Sequence, residues 1–310
     1  MNLNNMNILF RVDSSFTIGT GHIMRDLVLS SQYKNDNIIF ATQNLSGNIN
    51  YKVIESGYKV EILKSNKSNQ LIKLIKKFKI NLLVIDHYEI DYKYEKKIKD
   101  KTGVKILSFD DTYEKHYCDI LLNHNINATK KKYKDLVPKN CKIKCGSKFT
   151  LLREEFYKEK AKKQKKLNQK TKNVFIAMGG ADHSNINIDI LKVIKKFKNL
   201  NINIVTTEAN KNLDVLKKYC NNKKNITLHI NSNQIAKLMK NSYFSIVTPS
   251  VTVNEVYFMN LPFIAIKTAT NQEEIYRYLK KKKYLVMEKF SKSTLKKYLY
   301  KIMKELKDKQ

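Results

Sequence analysis

Residues 7–22 read NILFRVDSSFTIGTGH: six residues that suit a β-strand, a loop with two glycines, and a histidine at which a helical pattern begins. A short apolar run followed by an amphipathic segment is typical of a βα unit. The same alternation recurs outward from this stretch, with apolar runs at 37–41, 59–63, 81–86, 104–109 and, more weakly, 118–123. Repeated βα units predict a parallel sheet covered by helices.

The alternation restarts after a lysine-rich segment. Residues 157–172, YKEKAKKQKKLNQKTK, offer little to a hydrophobic core and predict a surface linker. Further apolar runs follow at 173–178, 201–206, 225–230, 244–248 and 262–266. The sequence therefore predicts an α/β protein with two doubly wound, Rossmann-like domains, 1–156 and 173–310, facing a cleft at the carboxyl ends of their strands. The pattern of residues 291–307 predicts an amphipathic helix. Its apolar stripe suits a position against either domain.

The composition narrows the class of protein. The formal net charge is +32, but only four of the 60 basic residues are Arg, and the lysines are spread along the chain. Proteins that bind nucleic acid favour clustered Arg, so we expect no nucleic-acid partner. No apolar run could span a bilayer, the first residues do not resemble a signal peptide, and four cysteines show no paired framework. We expect a cytoplasmic protein without stable membrane association.

The loop at 13–22 is the strongest local signal. The chain has only eight glycines, and Gly19 and Gly21 fall together here, which indicates backbone that turns tightly or approaches a ligand. Met24 occupies the third glycine position of a dinucleotide motif, and no phosphate-binding P-loop motif occurs. His22 lies at a predicted helix start, where the dipole favours a neutral imidazole that can accept a proton from water. We predict that His22 is a catalytic base oriented by Asp13, the alternative being a histidine with a structural role in the turn.

Two segments of the second domain predict a nucleotide site. Gly179 and Gly180 follow an apolar strand and are predicted to open a helix, where backbone amides and the helix dipole suit a diphosphate. The segment from Ser250 to Glu255 also follows a strand and starts a helix. The carboxylate of Glu255 either accepts hydrogen bonds from a ribose or stabilises the helix dipole, and the residues alone leave both open.

No metal or cofactor is expected. Asp110 and Asp111 follow a strand, but adjacent residues point to opposite faces, so loop capping is the preferred interpretation. The other candidate ligands are Cys118, Cys141, Cys145, His116 and His124. Their spacing contains no CxxC and is irregular for a tetrahedral site, which favours isolated buried thiols.

Seven motifs resemble a known family when they are taken together. In order they are LFRVDSSFTIGTGHIMRDLVL, LLVIDHY, KILSFDD, CDILLN, LLREEFY, AMGGAD and VNE. The chain resembles, over about residues 6–285, the UDP-sugar hydrolases of pseudaminic acid biosynthesis. The resemblance implies a two-domain fold of the GT-B type and metal-independent hydrolysis of UDP-2,4-diacetamido-2,4,6-trideoxy-β-L-altropyranose to UDP and the free sugar. It also implies a place upstream of flagellin glycosylation.

The resemblance assigns roles to individual residues. It makes His22 the base for water that attacks the anomeric carbon with inversion, and Tyr88 a substrate contact. It assigns Asn254 and Glu255 to the uridine ribose, with Gly179 and Gly180 lining the UDP site. The segment around Ser250 departs from the family, because Val251 stands where a consecutive serine is expected. A phosphate contact is therefore lost there or moved to Ser250 or Thr252.

Two other functions stay open at the level of sequence. A GT-B fold with a loop histidine also suits a glycosyltransferase that passes a UDP-linked amino sugar to an acceptor. The first domain shows no markedly apolar loop beside basic residues, which favours a small nucleotide-sugar substrate and hydrolysis. A lysine-rich binding module would instead bind RNA or DNA with steep salt dependence and no turnover. Because one chain supplies both domains, we expect a monomer.

Overall fold

The chain forms two compact units, Met1–Leu151 and Leu152–Gln310, in a computed structural model. The structure describes residues 5–163, 172–182 and 184–308. The predicted linker, 157–172, begins inside a helix of the second unit, Glu154–Ala161, and residues 164–171 lie outside the described residues. The predicted domain boundaries therefore stay a prediction.

The described residues of the first unit form seven strands and four α-helices. The strands are β1 (Asn7–Val12), β2 (Asn37–Gln43), β3 (Lys59–Leu63), β4 (Leu82–Asp86), β5 (Lys105–Phe109), β6 (Ile120–Asn123) and β7 (Lys142–Cys145). The helices are α1 (Gly21–Ser30), α2 (Asn50–Glu55), α3 (Ser68–Lys77) and α4 (Tyr92–Thr102). The predicted strands of this unit are all present, with ends within two residues of the prediction.

The sheet of the first unit is parallel, in the order β3-β2-β1-β4-β5-β6-β7. The chain winds outward in one direction from β1 to β3 and in the other from β4 to β7. The reversal lies between β1 and β4, where Val12 pairs with Asp86. Ligand sites of doubly wound sheets lie at such a reversal, beyond the carboxyl ends of the strands. The loops after β1 and β4 are therefore placed side by side at that edge.

Both faces of this sheet are buried. Ile8, Phe10 and Val12 belong to one apolar cluster, whereas Leu9 belongs to a second cluster on the opposite face. Successive side chains of a strand point to opposite faces, so a strand covered on both sides needs a continuous apolar run. This explains why the strands read as unbroken apolar stretches. Each fully buried side chain of this size contributes about 1.5–3 kcal/mol.

The described residues of the second unit form six strands and seven α-helices. The strands are β8 (Lys172–Ala177), β9 (Leu200–Thr206), β10 (Ile226–Ile230), β11 (Phe244–Val247), β12 (Phe263–Ile266) and β13 (Leu285–Met287). The helices are α5 (Glu154–Ala161), α6 (Asn187–Ile194), α7 (Leu213–Cys220), α8 (Ile235–Lys240), α9 (Val251–Phe258), α10 (Glu273–Lys281) and α11 (Lys292–Lys307). The sheet is parallel in the order β10-β9-β8-β11-β12-β13, with its reversal between β8 and β11.

The terminal helix belongs to the second unit. Leu295, Leu299 and Ile302 of α11 are buried in the apolar cluster of that unit, together with Ile190 and Ile194 of α6. The spacing of three and four residues places the three α11 side chains on one face of the helix. The sequence predicted this amphipathic helix but not its location, because the apolar stripe suits any apolar surface. No helix in the described part of the chain is long and apolar enough to cross a membrane.

Candidate active site

A loop held by its own hydrogen bonds leads from β1 to His22 at the start of α1. The hydroxyl of Ser15 accepts hydrogen bonds from the backbone N–H groups of Thr17 (3.1 Å) and Ile18 (2.9 Å), and Gly19 N–H donates to Ser15 C=O (2.8 Å). Gly19 has a φ of +83°, and a Cβ on it or on Gly21 would meet no atom within 4 Å. The loop therefore uses glycine for its backbone conformation and leaves open space above it. His22 lies in the first turn of α1.

His22 is oriented by a carboxylate at the end of β4. Its Nδ1 lies 2.6 Å from Asp86 Oδ1, and both side chains are buried. An ionised carboxylate can only accept, so in a neutral imidazole Nδ1 carries the proton and Nε2 presents a lone pair. Among the described residues, none forms a hydrogen bond with His22 Nε2. This is the geometry of a histidine that is ready to accept a proton from a bound molecule.

Arg25 keeps Asp86 ionised. Its Nε lies 2.6 Å from Asp86 Oδ2 and its Nη2 lies 2.5 Å from Asp86 Oδ1, a bidentate pair. Burial would raise the pKa of Asp86, but Arg25 and then His22 hold that pKa far below its ordinary value. The guanidinium also packs over the ring of Phe109, with 4.8 Å from Cζ to the ring centroid. The His22 partner is therefore a carboxylate, and its position is fixed from two sides.

Tyr88 and Asp111 complete the cluster. Arg25 Nη1 lies 2.9 Å from Asp111 Oδ2, and the Tyr88 hydroxyl donates to Asp111 Oδ1 at 3.0 Å. The edge-to-face contact of the His22 and Tyr88 rings has a centroid separation of 4.9 Å. Tyr88 is 52% exposed, so a molecule bound at this edge of the sheet can contact it. The structure thus brings together two predicted site residues, His22 as the base and Tyr88 as a substrate contact.

Asp13 does not orient His22, so that prediction is wrong. Arg11 Nη1 and Nη2 each lie 2.7 Å from one Asp13 oxygen, and His87 Nε2 lies 3.0 Å from Oδ2. Gln43 N–H also donates to Asp13 Oδ1 (2.7 Å). Arg11 belongs to β1 and Asp13 directly follows this strand; because residues two apart in extended backbone point to the same face, the two side chains meet. Burial would raise the pKa of Asp13, but His87 and Arg11 lower it far below its ordinary value.

Sequence reasoning missed three members of the cluster. Asp111 was predicted only to cap a loop, and neither Asp86 nor Arg25 was assigned a role. The expectation of loop capping is confirmed for Asp110, which accepts from the backbone of Thr112 (3.1 Å), but is wrong for Asp111, which pairs with Arg25. One signal was available: His22 and Arg25 are three residues apart on a helix, so they share a face.

The glycine loop of the second unit is anchored through one carbonyl. Gly180 C=O accepts three hydrogen bonds, each 3.0 Å long, from Thr206 Oγ1, Thr207 Oγ1 and Thr207 N–H. Gly179 has a φ of +85°, and a Cβ on it would meet no atom within 4 Å. The loop therefore has a fixed backbone and an open side, as a phosphate-binding turn requires.

The prediction that a helix begins at Gly179 and Gly180 is wrong. Helix α6 begins at Asn187, because Asp182 and Asn185 have φ values of +40° and +51°, which an α-helix does not accept. Asp182 Oδ2 accepts from Asn187 Nδ2 at 2.6 Å, and burial raises the pKa of Asp182 to about 6. The predicted contribution of the α6 dipole to a diphosphate site at the glycines is therefore wrong.

The start of α9 lies beside this loop. Strands β8 and β11 are neighbours, and Ala177 pairs with Val247, so the two following loops lie at one edge of the sheet. Ser250 precedes the helix, and its hydroxyl lies 2.9 Å from Thr248 Oγ1. Asn254 is buried one turn further along. The structure thus places the predicted UDP-binding residues of this unit on the glycine loop and at the adjacent start of α9.

Glu255 has an unusual electrostatic environment. Its Oε1 lies 3.5 Å from Arg153 Nη2, and Arg153 also pairs with Glu155 at 2.7 Å. Burial raises the pKa of Glu255 to about 7, and Arg153 opposes that shift. A carboxyl group with this pKa changes its charge near neutral pH, which makes it sensitive to a ligand that donates hydrogen bonds. In the described part of the chain, no three His, Cys, Asp or Glu side chains form a group that could hold a metal ion.

Comparison with solved structures defines the fold class. MurG of Acinetobacter baumannii has a TM-score of 0.65 at 10% identity, over 97% of this chain and 92% of that one. The spinosyn rhamnosyltransferase SpnG, complexed with thymidine diphosphate, has a TM-score of 0.65 at 7% identity, over 96% of this chain and 92% of that one. The two parallel α/β domains are therefore of the GT-B type. At these identities the similarity concerns the fold alone.

Sequence comparison identifies the family. The chain is 44% identical over 285 residues to the UDP-2,4-diacetamido-2,4,6-trideoxy-β-L-altropyranose hydrolase of Campylobacter jejuni, which covers 92% of this chain and 100% of that protein. The chain belongs to this family of UDP-sugar hydrolases, and it is an enzyme. An uncharacterised protein of Methanocaldococcus jannaschii is 32% identical over 289 residues, 89% of this chain and 59% of its own length. No protein-family model matches the chain.

Proposed function

We propose that this enzyme hydrolyses UDP-2,4-diacetamido-2,4,6-trideoxy-β-L-altropyranose to UDP and the free sugar, with His22 as the general base. The substrate is taken from the C. jejuni relative, which is similar over nearly the whole chain. The observation that carries the chemistry is the pairing of His22 Nδ1 with Asp86, which leaves Nε2 with a lone pair. We further propose, from the family resemblance, that the free sugar enters pseudaminic acid biosynthesis.

The proposed reaction is a single displacement. A water molecule attacks the anomeric carbon and gives one proton to His22 Nε2, while the bond from that carbon to the UDP oxygen breaks. UDP leaves with the electron pair, and the configuration at the carbon inverts. The imidazolium that forms is stabilised by the Asp86 carboxylate, as in other histidine–aspartate pairs. A positioned base of this kind contributes a rate factor of about 10²–10⁴. In this proposal Tyr88 contacts the substrate, which occupies the open space above Gly19 and Gly21.

We assign UDP binding to the second domain. The loop at Gly179 and Gly180 suits the diphosphate because its backbone is fixed and open on one side. Ser250 and Asn254 lie on the adjacent segment, and Glu255 supplies a carboxylate for the ribose hydroxyls.

Gly179→Ala should weaken UDP binding about tenfold. An L-residue at a φ of +85° costs roughly 1–2 kcal/mol, and relief of that strain would move the loop. Gly57→Ala is a matched control, because Gly57 has the same φ, equally open surroundings and a place in the first unit. Titration calorimetry with UDP should show weaker binding for Gly179→Ala only. Equal affinity in both variants would contradict the assignment of the loop.

Glu255→Gln should weaken UDP binding at pH 8 while stabilising the protein. The folded-state pKa of about 7 exceeds the ordinary value for glutamate, so this group favours folding at low pH and loses that contribution as the pH rises through 7. The neutral amide should therefore raise the free energy of unfolding at pH 8 by about 1–3 kcal/mol. Loss of the charge-assisted hydrogen bonds should raise the Kd for UDP about tenfold.

The control for Glu255→Gln is Glu273→Gln. Glu273 is a more exposed carboxylate of the same unit and pairs with Arg277 and Lys267. We expect Glu273→Gln to leave the Kd for UDP unchanged. The free energy of unfolding should change by no more than about 0.5 kcal/mol. If Glu255→Gln binds UDP with unchanged affinity at pH 8, then Glu255 does not hold the ribose.

The deciding experiment is a proton NMR time course with the UDP-linked sugar in H₂¹⁸O, without added metal or acceptor, followed by mass spectrometry of the UDP to look for ¹⁸O. Release of an inverted sugar together with UDP that carries no ¹⁸O supports attack at the anomeric carbon. Label in the UDP would instead show attack at phosphorus and remove His22 from the proposed role. An unchanged substrate would refute hydrolysis, and acceptor-dependent sugar transfer would then be tested with the same purified protein.

A further inference from the structure

The turn after β5 holds one member of the active-site cluster. Asp111 accepts from Arg25 (2.9 Å) and from the Tyr88 hydroxyl (3.0 Å), and Tyr88 in turn contacts the His22 ring. Asp111 lies beyond the end of β5, in a segment without regular secondary structure. Its position must therefore be fixed by side chains rather than by a sheet or helix.

The preceding residue fixes this turn from within the protein. Asp110 accepts from the backbone N–H groups of Thr112 (3.1 Å) and Tyr113 (2.9 Å) through its two carboxylate oxygens. The buried hydroxyl of Tyr133 donates to Asp110 Oδ2 at 2.6 Å. His116 Nε2 lies 3.8 Å from Asp110 Oδ1 and forms no hydrogen bond with any described residue. The turn is thus held by a buried carboxylate.

His116 connects this carboxylate to a second one. Its Nδ1 lies 2.8 Å from Glu95 Oε1, and Glu95 is fully buried on α4. Glu95 also accepts from Ser108 Oγ (2.6 Å) and from Tyr117 N–H (2.5 Å). The imidazole therefore lies between two buried carboxyl groups, one on a helix and one in the turn that carries Asp111.

Electrostatics favour a charged His116. Burial would lower the pKa of His116, but Asp110 and Glu95 raise it to about 10. Burial likewise would raise the pKa of Asp110, and His116 with Tyr133 lowers it. Two buried carboxylates without a cation are unfavourable, because their charges repel and neither is solvated. The imidazolium balances one of the two negative charges.

We propose that His116 is a positioning residue for the hydrolase site: held between Glu95 and Asp110, it fixes the turn that carries Asp111 and thereby holds Arg25 and Tyr88 against His22. The inference rests on the proposed function for its kinetic consequence but not for its structural one. His116 touches no reacting group. It acts through Asp110, Asp111 and Arg25.

The kinetic test compares His116→Gln with the double variant Glu95→Gln/His116→Gln. In the single variant two carboxylates remain without a cation, so kcat at pH 8 should fall at least tenfold while KM changes less than threefold. Its activity relative to wild type should rise as the pH falls to 5.5, because protonation of one carboxyl group removes the repulsion. The double variant removes one negative charge with the positive one, and should recover kcat to within about fivefold of wild type and lose the extra pH dependence.

The control is Lys99→Met. Lys99 pairs with Asp119 in the same domain, at the start of β6 and thus at the opposite edge of the sheet. The Lys99→Met variant should have a kcat within twofold of the wild-type value. A single variant with wild-type kcat, or a loss that the double variant does not recover, overturns the proposal. If His116→Gln does not fold, the double variant decides the question. A double variant that is folded and active supports the proposal, and one that is folded but inactive overturns it.

A second readout needs no turnover. The chain has four arginines, so the ¹⁵N Nε–H signal of Arg25 can be assigned with Arg25→Lys. This Nε donates to Asp86, and His116→Gln should shift the signal while the signal of Arg153, in the second unit, stays unchanged. An unchanged Arg25 signal overturns the positioning role. If wild-type protein fails to hydrolyse the UDP-sugar, the proposed function fails, and this measurement still tests the inference.

Discussion

His22→Asn is expected to lower kcat by about 10²–10⁴-fold while the Kd for UDP stays unchanged. Asn lacks the basic nitrogen that accepts the proton from water, and His22 belongs to the first unit, whereas the proposed ligands of UDP belong to the second. The fold should survive, because Arg25 continues to pair with Asp86 through two hydrogen bonds. The measurement combines the NMR assay for UDP release with calorimetric titration of UDP.

The matched control is His229→Asn. His229 is a half-buried histidine of β10, and its Nε2 lies 2.9 Å from Asn203 Oδ1. We expect no more than a twofold change in kcat for this variant. If His22→Asn keeps more than a tenth of the wild-type kcat, then another group is the base and the proposed mechanism fails.

Asp86→Asn should combine a catalytic defect with a loss of stability. An Asn amide does not hold Nδ1–H of His22 as a carboxylate does, so kcat should fall by about 10²–10⁴-fold, as when the aspartate of a histidine–aspartate pair is replaced. Among the described residues the buried Arg25 then keeps only Asp111 as an ion-pair partner, so the free energy of unfolding should fall by about 3 kcal/mol. Urea unfolding and the same kinetic assay measure the two effects.

Asp13→Asn should lower the stability of the protein without a comparable catalytic defect. Asp13 is the bidentate partner of the buried Arg11, so its loss should destabilise the protein to a similar degree, by about 3 kcal/mol. Because it does not contact His22, kcat at a temperature where the variant is folded should fall less than tenfold. A larger loss of kcat in Asp13→Asn than in Asp86→Asn would restore Asp13 as the residue that orients His22.

Protonation of Asp86 at low pH should lower the free energy of unfolding of the wild-type protein. The pKa of this group is held far below its ordinary value in the folded state, so its stabilising contribution is present above the ordinary pKa of aspartate and is lost as the pH falls. Wild-type protein should therefore lose unfolding free energy between about pH 5 and pH 2. Asp86→Asn should lose less over the same range, which a pH series of urea unfolding curves would show.

Local features of the site could be predicted from the sequence. The strand at Asn7–Val12, the glycine loop and the helix start at His22 are contiguous, so each is specified by neighbours along the chain. Strands β7 and β13 were not predicted. The first alternates lysine with apolar residues and the second has only three residues, so neither gives an apolar run of strand length.

The partners of the predicted residues could not be predicted in the same way. Asp86 lies 64 residues from His22, and the two meet because β4 pairs with β1 in the parallel sheet. Asp13, only nine positions away along the chain, turns to Arg11 because alternation along β1 puts the two on one face. Proximity in sequence was therefore a poor guide to the partner of the histidine.

The sequence by itself determined the two parallel-sheet domains, the position of His22 at a helix start and the family, because these depend on periodic patterns and on contiguous motifs. Only the tertiary structure decided which carboxylate orients His22, that Arg25 and Asp111 join it, and that α11 packs on the second domain. The physical reason is that strand order sets which chain segments become neighbours. Charges carried by distant segments then pair according to distance and burial, which no local pattern specifies.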